Sequence, residues 1–206
     1  MKTGTLILLR HGECQGGDIL RGQVDVALSA KGEQQMKSAI ADIDCSNVLV
    51  YSSPLIRCME FALQLDDKSV VMPSLQETDF GDWDGLPFET LLKSFPMQLT
   101  KYWDDPWENT PPNGETLADF GTRVTAALTQ IIDDLFNDQS QQSGKTTAMV
   151  ITHAGVIRHI VATVLHMRQH HGLYRNFDLP YAAKIEIKVI EEESGRRHLR
   201  LQWPNN

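Results

Sequence analysis

Two arginines and two histidines stand at or shortly after the ends of apolar runs in the chain. Arg10 and His11 directly follow one run, His153 directly follows another, and Arg57 lies a few residues after a third. The planar guanidinium of arginine matches phosphate oxygens in bidentate fashion. A neutral imidazole is a nucleophile, and covalent catalysis divides one difficult displacement into two easier steps. These residue types together predict phosphoryl chemistry.

Displacement at phosphorus also needs a group that protonates the leaving oxygen and later acts as a base toward water. Glu77 and Asp79, which lie close together in the chain, are candidates for this acid. Each basic residue also has a simpler interpretation: Arg57 as a surface residue of a helix, His153 as a core histidine bonded to backbone. Their placement after three different apolar runs favours the chemical interpretation.

The elements that must position these residues alternate along the chain. The early apolar runs lack polar alternation, which is typical of a mostly parallel sheet covered on both faces. Ser29 is predicted to cap a helix that extends to Ile40, Ser53 with Pro54 to start a second, and the capping pattern at 116–119 to start the longest. We therefore expect an α/β fold with helices on both faces of the sheet. The predicted strands are 5–9, 47–51, 69–72, 146–152, 182–190 and 198–203.

Ligands of such sheets bind beyond the carboxyl ends of the strands, where the basic residues are expected to converge. The segment 76–115 differs in composition, because it holds three of the four tryptophans among prolines and carboxylates. We interpret this segment, called the excursion below, as a cover over the catalytic edge of a single domain that spans 1–206. The polar stretch 137–145 is predicted to be a surface linker.

Composition excludes several classes of protein. A net charge of -8 disfavours nucleic acid as a partner. No apolar run approaches the roughly 20 residues that cross a bilayer, and charge follows the N-terminus too soon for a secretory signal. We therefore expect a cytoplasmic protein with no membrane partner. The three cysteines have no C-x-x-C spacing and are expected to be reduced thiols. The sequence does not set the oligomeric state, and a homodimer is left open.

Competing motifs are weaker. The stretch "GKTT" at 144–147 lacks the earlier glycine of a phosphate-binding loop and precedes a strand instead of following one. No cysteine has an arginine six residues later, so the arrangement of cysteine-based phosphatases is absent. His166 and His170 have a helical spacing that suits a metal ion, but no further ligand motif accompanies them. No metal and no cofactor are expected.

Several motifs in order resemble the histidine phosphatase superfamily, which has the phosphoglycerate-mutase-like fold. This resemblance implies that His11 is phosphorylated, that Glu77 donates and accepts the proton, and that Arg10, Arg57 and His153 bind phosphoryl oxygens. It further implies that Arg21 and Gln23 contact the substrate. Cys14 stands where relatives often have threonine, and Asp84 where they often have glutamate, a change interpreted as minor. The motifs are "LLRHGE", "LRGQVDVALSAKGEQQ", "VYSSPLIRCMEFA", "LQETDFGDWDG", "PPNGET" and "VITHAGVIR".

Within this family the excursion is similar to that of the α-ribazole phosphatases, which remove the 5'-phosphate of α-ribazole phosphate in cobalamin nucleotide-loop assembly. Trp103 and Trp107 are candidates for stacking on the benzimidazole ring, although each could also belong to a small core of the excursion. Mutases of the family carry longer insertions and a tail, so hydrolysis is expected here. The alternatives are a broad-specificity small-ester phosphatase, a phosphoglycerate mutase, or a sensor that binds phosphate esters without turnover.

Overall fold

One mixed sheet organises the part of the chain that the computed structural model describes, residues 1–137, 140, 142–167 and 171–203. Its strands are β1 (Lys2–Arg10), β2 (Val48–Ser52), β3 (Val70–Val71), β4 (Thr147–Thr152), β5 (Lys184–Glu191) and β6 (Arg197–Leu201). They lie in the order β3-β2-β4-β1-β5-β6. The first four are mutually parallel, and β5 and β6 run antiparallel to their neighbours. The predicted α/β class and mostly parallel sheet are confirmed.

Helices connect the strands. They are α1 (Ala30–Ala39), α2 (Ile56–Leu65), α3 (Phe88–Ser94), α4 (Pro96–Asp104), α5 (Leu117–Phe136), α6 (Ala154–Val164) and α7 (His171–Asn176). Ser29 caps α1 by accepting from the Gly32 amide, and Thr116 caps α5 by accepting from the Asp119 amide, as predicted. Residues 106–108, shortly after α4, form a turn. The excursion therefore contributes two short helices, α3 and α4.

The predicted start of the second helix at Ser53 and Pro54 is wrong by two to three residues. Helix α2 begins at Ile56, and Leu55 occupies the cap position in an extended conformation. The Ser53 hydroxyl lies 2.8 Å from Nε2 of His153 and takes no part in an N-cap of α2. The same hydroxyl accepts from the Leu55 amide at 3.3 Å, one residue before the helix begins.

Two strand predictions extend too far. The run 69–72 forms only the two-residue β3, which pairs with β2 at the edge of the sheet and leaves Val70 and Val71 exposed. The last run ends at Leu201, and Trp203 beyond it is 90% exposed. Both strands lie at sheet edges, where one missing neighbour shortens the hydrogen-bonded ladder.

Strand β1 lies inside the sheet and is buried on both faces. Leu6 and Leu8 pack into a core with α5 and α6, whereas Ile7 and Leu9 pack into a core with α1 and α2. This alternation explains why the run is apolar at every position. The polar residues that follow β1 and β4 are thereby fixed at one edge of a rigid sheet.

The excursion has a small core of its own, centred on Trp83, Leu91 and Leu99. Tyr102 packs against this core with its ring centroid 5.7 Å from that of Trp83. No helix among the described residues combines the length and the apolar character that a membrane crossing requires. Of the predicted linker 137–145, residues 138, 139 and 141 lie outside the described part of the chain.

Candidate active site

His11 follows the last residue of β1, and its amide donates to the Thr152 carbonyl at the end of β4 at 2.9 Å. Its ring Nδ1 lies 2.8 Å from the Gly12 carbonyl. A carbonyl only accepts, so Nδ1 carries the proton and Nε2 keeps a free lone pair. Cys14 places its Sγ 3.5 Å from the same Nδ1. The imidazole is therefore oriented with its nucleophilic nitrogen away from the backbone.

The pKa of His11 is lowered to about 3, first by burial of the ring and then by the positive charge of Arg57. Arg10 and Arg21 add to this effect. The side chain is 5% exposed, so water offers little compensation for a charge on the ring. At neutral pH His11 is uncharged, which is the form that attacks phosphorus.

The guanidinium groups of Arg10 and Arg57 each have an N–H group without a hydrogen-bond acceptor among the described residues. Arg57 is completely buried and donates through Nη1 to the Val24 carbonyl at 2.9 Å and through Nη2 to the Gly22 carbonyl at 2.6 Å. Arg10 donates to the Leu179 carbonyl and packs over the Tyr181 ring. Among the described residues, the buried Nε atoms of both arginines have no hydrogen-bond partner. Such orphaned donors beside a neutral histidine suit the oxygens of an anion.

His153 lies at the N-terminus of α6, directly after β4. Its Nε2 is bonded to the Ser53 hydroxyl at 2.8 Å, and its ring centroid is 5.2 Å from that of His11. Burial, followed by the charge of Arg57, lowers the pKa of His153 well below its usual value. The structure thus brings Arg10, His11, Arg57 and His153 together, and these four residues are called the strand-edge cluster below.

Glu77 reaches the same edge from the excursion. Its Oε1 accepts from its neighbour's amide, that of Thr78, at 3.0 Å, and its Oε2 accepts from the Gly155 amide at 3.1 Å. A Cβ on residue 155 would overlap with the carboxylate, so only glycine allows this approach. Asp79, the other predicted acid, accepts from the Gly81 amide within its own turn at 2.9 Å. Of the two, Glu77 is the carboxylate beside the cluster.

The two remaining polar candidates lie in the loop after β1. Arg21 donates from Nη2 to the carbonyls of Gln15 at 3.0 Å and Gly17 at 2.7 Å, and its Nε has no partner among the described residues. Gln23 approaches the Glu77 carbonyl at 3.5 Å. Arg21 thus keeps a free donor near the cluster, where its charge contributes to the low pKa of His11.

A cavity of about 490 Å³, called the aromatic pocket below, opens beside Glu77 and Gly155. Trp103 lines it and is 41% exposed. Trp107 does not belong to the lining residues; its ring packs against Tyr174 with centroids 6.2 Å apart. The pocket's other aromatic side chains are Phe80, Trp83, Phe88, Tyr102 and Tyr174.

Sequence reasoning did not find the contacts of two residues, Arg158 and Asp84. Arg158 lines the aromatic pocket, and no carboxylate among the described residues lies within ion-pair distance of it. Asp84 accepts from the backbone amides of 22–24, the loop whose carbonyls hold Arg57. The position of Arg158, one helical turn after Gly155, was the available signal for its place in the pocket.

No group of three or more His, Cys, Asp or Glu side chains suited to a metal ion occurs within the described ranges. Of the predicted histidine pair, His166 is described and His170 lies outside the described residues. The pair therefore stays a prediction of the sequence alone.

The geometry and the sequence motifs agree with a family model, the histidine phosphatase superfamily (branch 1), which matches residues 6–202. The chain belongs to this superfamily. A glucosyl-3-phosphoglycerate phosphatase of Mycolicibacterium vanbaalenii is 27% identical over 174 residues, which are 80% of this chain and 76% of the relative. Phosphoserine phosphatase 1 of Hydrogenobacter thermophilus is 26% identical over 167 residues, 78% of this chain and 75% of the relative.

Solved structures share the fold of this histidine phosphatase. The α-ribazole phosphatase of Shigella flexneri superposes with a TM-score of 0.69 at 21% identity, over 96% of this chain and 95% of the other. The relatives include phosphatases and mutases, and the strand-edge cluster has the residue types that phosphoryl transfer requires.

Proposed function

We propose that the protein is a phosphomonoesterase that acts through a phosphohistidine at His11. The observation that carries this proposal is the neutral Nε2 of His11 among the unsatisfied Nε donors of Arg10 and Arg57. A phosphoryl group placed there receives charge-assisted hydrogen bonds as negative charge spreads over its oxygens.

The reaction proceeds in two displacements. In the first, Nε2 of His11 forms a bond to phosphorus, the ester P–O bond breaks, and protonated Glu77 gives its proton to the leaving oxygen. In the second, water attacks the phosphohistidine, ionised Glu77 takes a proton from that water, and inorganic phosphate leaves. Each turnover thus restores neutral His11 and protonated Glu77, and consumes one water.

The substrate that we propose is α-ribazole 5'-phosphate. The aromatic pocket lies next to Glu77, where the alcohol part of an ester must lie when its bridging oxygen meets the acid. Flat rings stack on aromatic side chains with a contribution of about 1–3 kcal/mol each. A pocket of about 490 Å³ has room for a benzimidazole riboside. The cobalamin-related role, and a cytoplasmic site of action, belong to this proposal.

A second candidate is an ester whose alcohol part carries a carboxylate. Arg158 favours it, because a pocket-lining cation without an acidic partner among the described residues suits an anionic substituent. Phosphoserine and glucosyl-3-phosphoglycerate, which appear in the names of the two relatives described above, are esters of this kind. A broad-specificity phosphatase would accept both classes.

Four substrates separate these candidates. We expect kcat/KM for α-ribazole 5'-phosphate to exceed that for ribose 5-phosphate, which lacks the ring. Glycerol 3-phosphate and 3-phosphoglycerate differ by one carboxylate, so a preference for the latter would instead support the second candidate. Equal values for all four would support broad specificity. Transfer of the phosphoryl group of 3-phosphoglycerate to an acceptor other than water would identify a mutase.

The non-enzymatic alternative is tested with p-nitrophenyl phosphate in the presence of EDTA. We expect phosphate release, since arginines supply the positive charge that stabilises the transition state. Binding of the ester without turnover would support a sensor and contradict the proposal.

A further inference from the structure

The segment 76–80, which carries Glu77, has no regular secondary structure. Its backbone carbonyls therefore need donors from elsewhere. Arg123 of α5 supplies them: its Nη1 donates to the carbonyls of Ser74 at 3.0 Å and Gln76 at 2.8 Å, and its Nη2 to the carbonyl of Glu77 at 3.0 Å. One guanidinium thus holds the acid's own peptide and the chain that leads to it.

Glu115 completes the arrangement on the other side of the acid. Its Oε2 accepts from Arg123 Nε at 3.0 Å, and its Oε1 accepts from Nη2 of the same guanidinium. That Oε1 also accepts from the Asp79 amide at 2.8 Å, while the Glu115 amide donates to the Asp79 carbonyl at 3.0 Å. The two side chains are only 22% and 16% exposed, so solvent screens this ion pair weakly.

The pair surrounds Glu77 without touching the site of reaction. Arg123 fixes the chain before and at residue 77, and Glu115 fixes the chain two residues after it. The carboxyl itself lies against the Gly155 amide, in a space that a single added carbon would fill. Proton transfer requires a heavy-atom distance of about 2.6–3.2 Å, so a small backbone displacement removes the acid from its oxygen.

We propose that Arg123 and Glu115 are positioning residues that hold Glu77 at the distance required for protonation of the leaving alcohol. This inference rests on the proposed function, in which Glu77 is the general acid. Neither residue contacts the phosphoryl group, and both act through the backbone of the segment that carries the acid.

This role differs from simple support of the fold in its dependence on the leaving group. An alkoxide such as that of glycerol needs a proton to depart, whereas p-nitrophenolate departs without one. The ratio kcat/KM reports only the steps up to release of the alcohol and is not affected by hydrolysis of the phosphohistidine. Loss of positioning should therefore lower kcat/KM for glycerol 3-phosphate much more than for p-nitrophenyl phosphate.

The experiment compares Arg123→Gln, Glu115→Gln and Arg123→Lys on these two esters. For the two glutamine variants we expect a loss of about 10- to 100-fold with glycerol 3-phosphate and below about 3-fold with p-nitrophenyl phosphate. The first loss is a part of the about 100- to 10,000-fold that general acid catalysis usually contributes. Arg123→Lys should recover part of the loss, because an ammonium keeps the charge without the fork that spans several carbonyls.

Arg197→Gln is the matched control. Arg197 pairs with two carboxylates, Asp133 and Glu191, and like Arg123 its guanidinium packs over a phenylalanine ring, but it lies on β6. Its loss should lower the unfolding midpoint and leave the ratio of the two kcat/KM values unchanged. If the control shifts that ratio as far as Arg123→Gln does, the inference is wrong.

Equal losses on both esters, or no loss on either, in a folded Arg123→Gln protein would overturn the inference. If that variant does not fold, Glu115→Gln is read by the same criterion. Glu77→Gln separates the positioning role from the proposed acid. If Glu77→Gln loses more kcat/KM with glycerol 3-phosphate than with p-nitrophenyl phosphate, but the Arg123 and Glu115 variants do not, only the positioning role is refuted. Equal losses of kcat/KM on the two esters in Glu77→Gln itself would refute Glu77 as the acid.

Discussion

The strand-edge cluster and the aromatic pocket are neighbours that are built in different ways. In the cluster, His11, Arg57 and His153 are buried, and backbone or side-chain hydrogen bonds orient each of them. In the pocket, side chains from the excursion, α6 and α7 form most of the walls, and Trp103 is 41% exposed. The nucleophile and its neighbouring cations are thus held at the end of a rigid sheet, whereas the walls of the pocket, like Glu77, lie mostly on segments outside the sheet.

Removal of the nucleophile should break the cluster's function for every substrate. His11→Ala is expected to lower kcat by at least about 10,000-fold on both ring-bearing and simple esters, because no other cluster residue is oriented to attack phosphorus. Labelled substrate and rapid quench should give the wild-type enzyme a label that is lost in acid and survives alkali. A label on serine or cysteine, or a fully active His11→Ala variant, would contradict the assignment.

The buried histidines of the cluster should make stability depend on pH. Burial and the charge of Arg57 lower the pKa of His11 to about 3, and burial lowers that of His153 well below its usual value. Both titrate near 6.5 when unfolded, so below that pH the unfolded chain binds more protons than the folded one. The contribution of these histidines to the free energy of unfolding is therefore fully present above pH 6.5. Below that pH, each histidine lowers the free energy of unfolding by about 1.4 kcal/mol per pH unit.

Urea unfolding at pH 7, 6 and 5 measures this dependence above the range in which ordinary carboxylates titrate. His159, whose pKa is also lowered by burial, adds to the same slope. His11→Asn should reduce the slope by about the share of one histidine. If the free energy of unfolding stays constant between pH 7 and 5, the histidines take up protons equally in the folded and the unfolded protein, which would contradict the low pKa values of His11 and His153.

The cluster could be predicted from the sequence because its residues directly follow strands that the apolar runs reveal. Arg10, His11 and His153 needed only the rule that parallel strands end at one edge. Arg57, a few residues after another apolar run, was placed at the same edge by the same rule. The family resemblance added the choice of Glu77 over Asp79. These assignments depend on local sequence and topology, which are the parts of a fold that periodicity reports well.

The supporting contacts could not be predicted, because they join backbone atoms to side chains far along the chain. Arg123 reaches carbonyls more than 45 residues away, and Arg158 enters the pocket only through the turn of α6. The aromatic residues of the excursion were equally ambiguous, since composition does not show which of them face a cavity. Trp83 proved to be core, Trp103 lines the pocket, and Trp107 packs on Tyr174.

Substitutions of the two tryptophans should sharpen the contrast between pocket and cluster. Trp103→Ala is expected to lower kcat/KM for α-ribazole 5'-phosphate by about 5- to 150-fold, the equivalent of one lost stacking contact, and to change ribose 5-phosphate little. Trp107→Ala is the matched variant, since its ring packs on Tyr174 and does not line the pocket. Because Trp107 reaches the pocket only through Tyr174, its ring-specific loss should be smaller than that of Trp103→Ala. If only Trp107→Ala shows a loss specific to the ring-bearing ester, Trp107 and not Trp103 contacts the ring of the substrate.

The smallest expected effect concerns Asp84, which links the excursion to the cluster. Its Oδ1 accepts from the Gly22 amide at 2.8 Å, and its Oδ2 accepts from the amides of Gln23 at 2.6 Å and Val24 at 2.9 Å. The carbonyls of the same loop, at Gly22 and Val24, accept from Arg57. A single carboxylate therefore shapes the loop that orients a buried guanidinium.

Asp84→Asn replaces one acceptor oxygen by an amide that faces backbone N–H groups, so the loop should shift and Arg57 with it. We expect about a tenfold loss in affinity for orthovanadate, and equal losses in kcat/KM for ring-bearing and simple esters, because the change acts on the phosphoryl group. Asp84→Glu keeps a carboxylate at this position and should retain most of the affinity. A loss confined to ring-bearing esters would mean that Asp84 serves the aromatic pocket, and that cluster and pocket are less separate than their construction indicates.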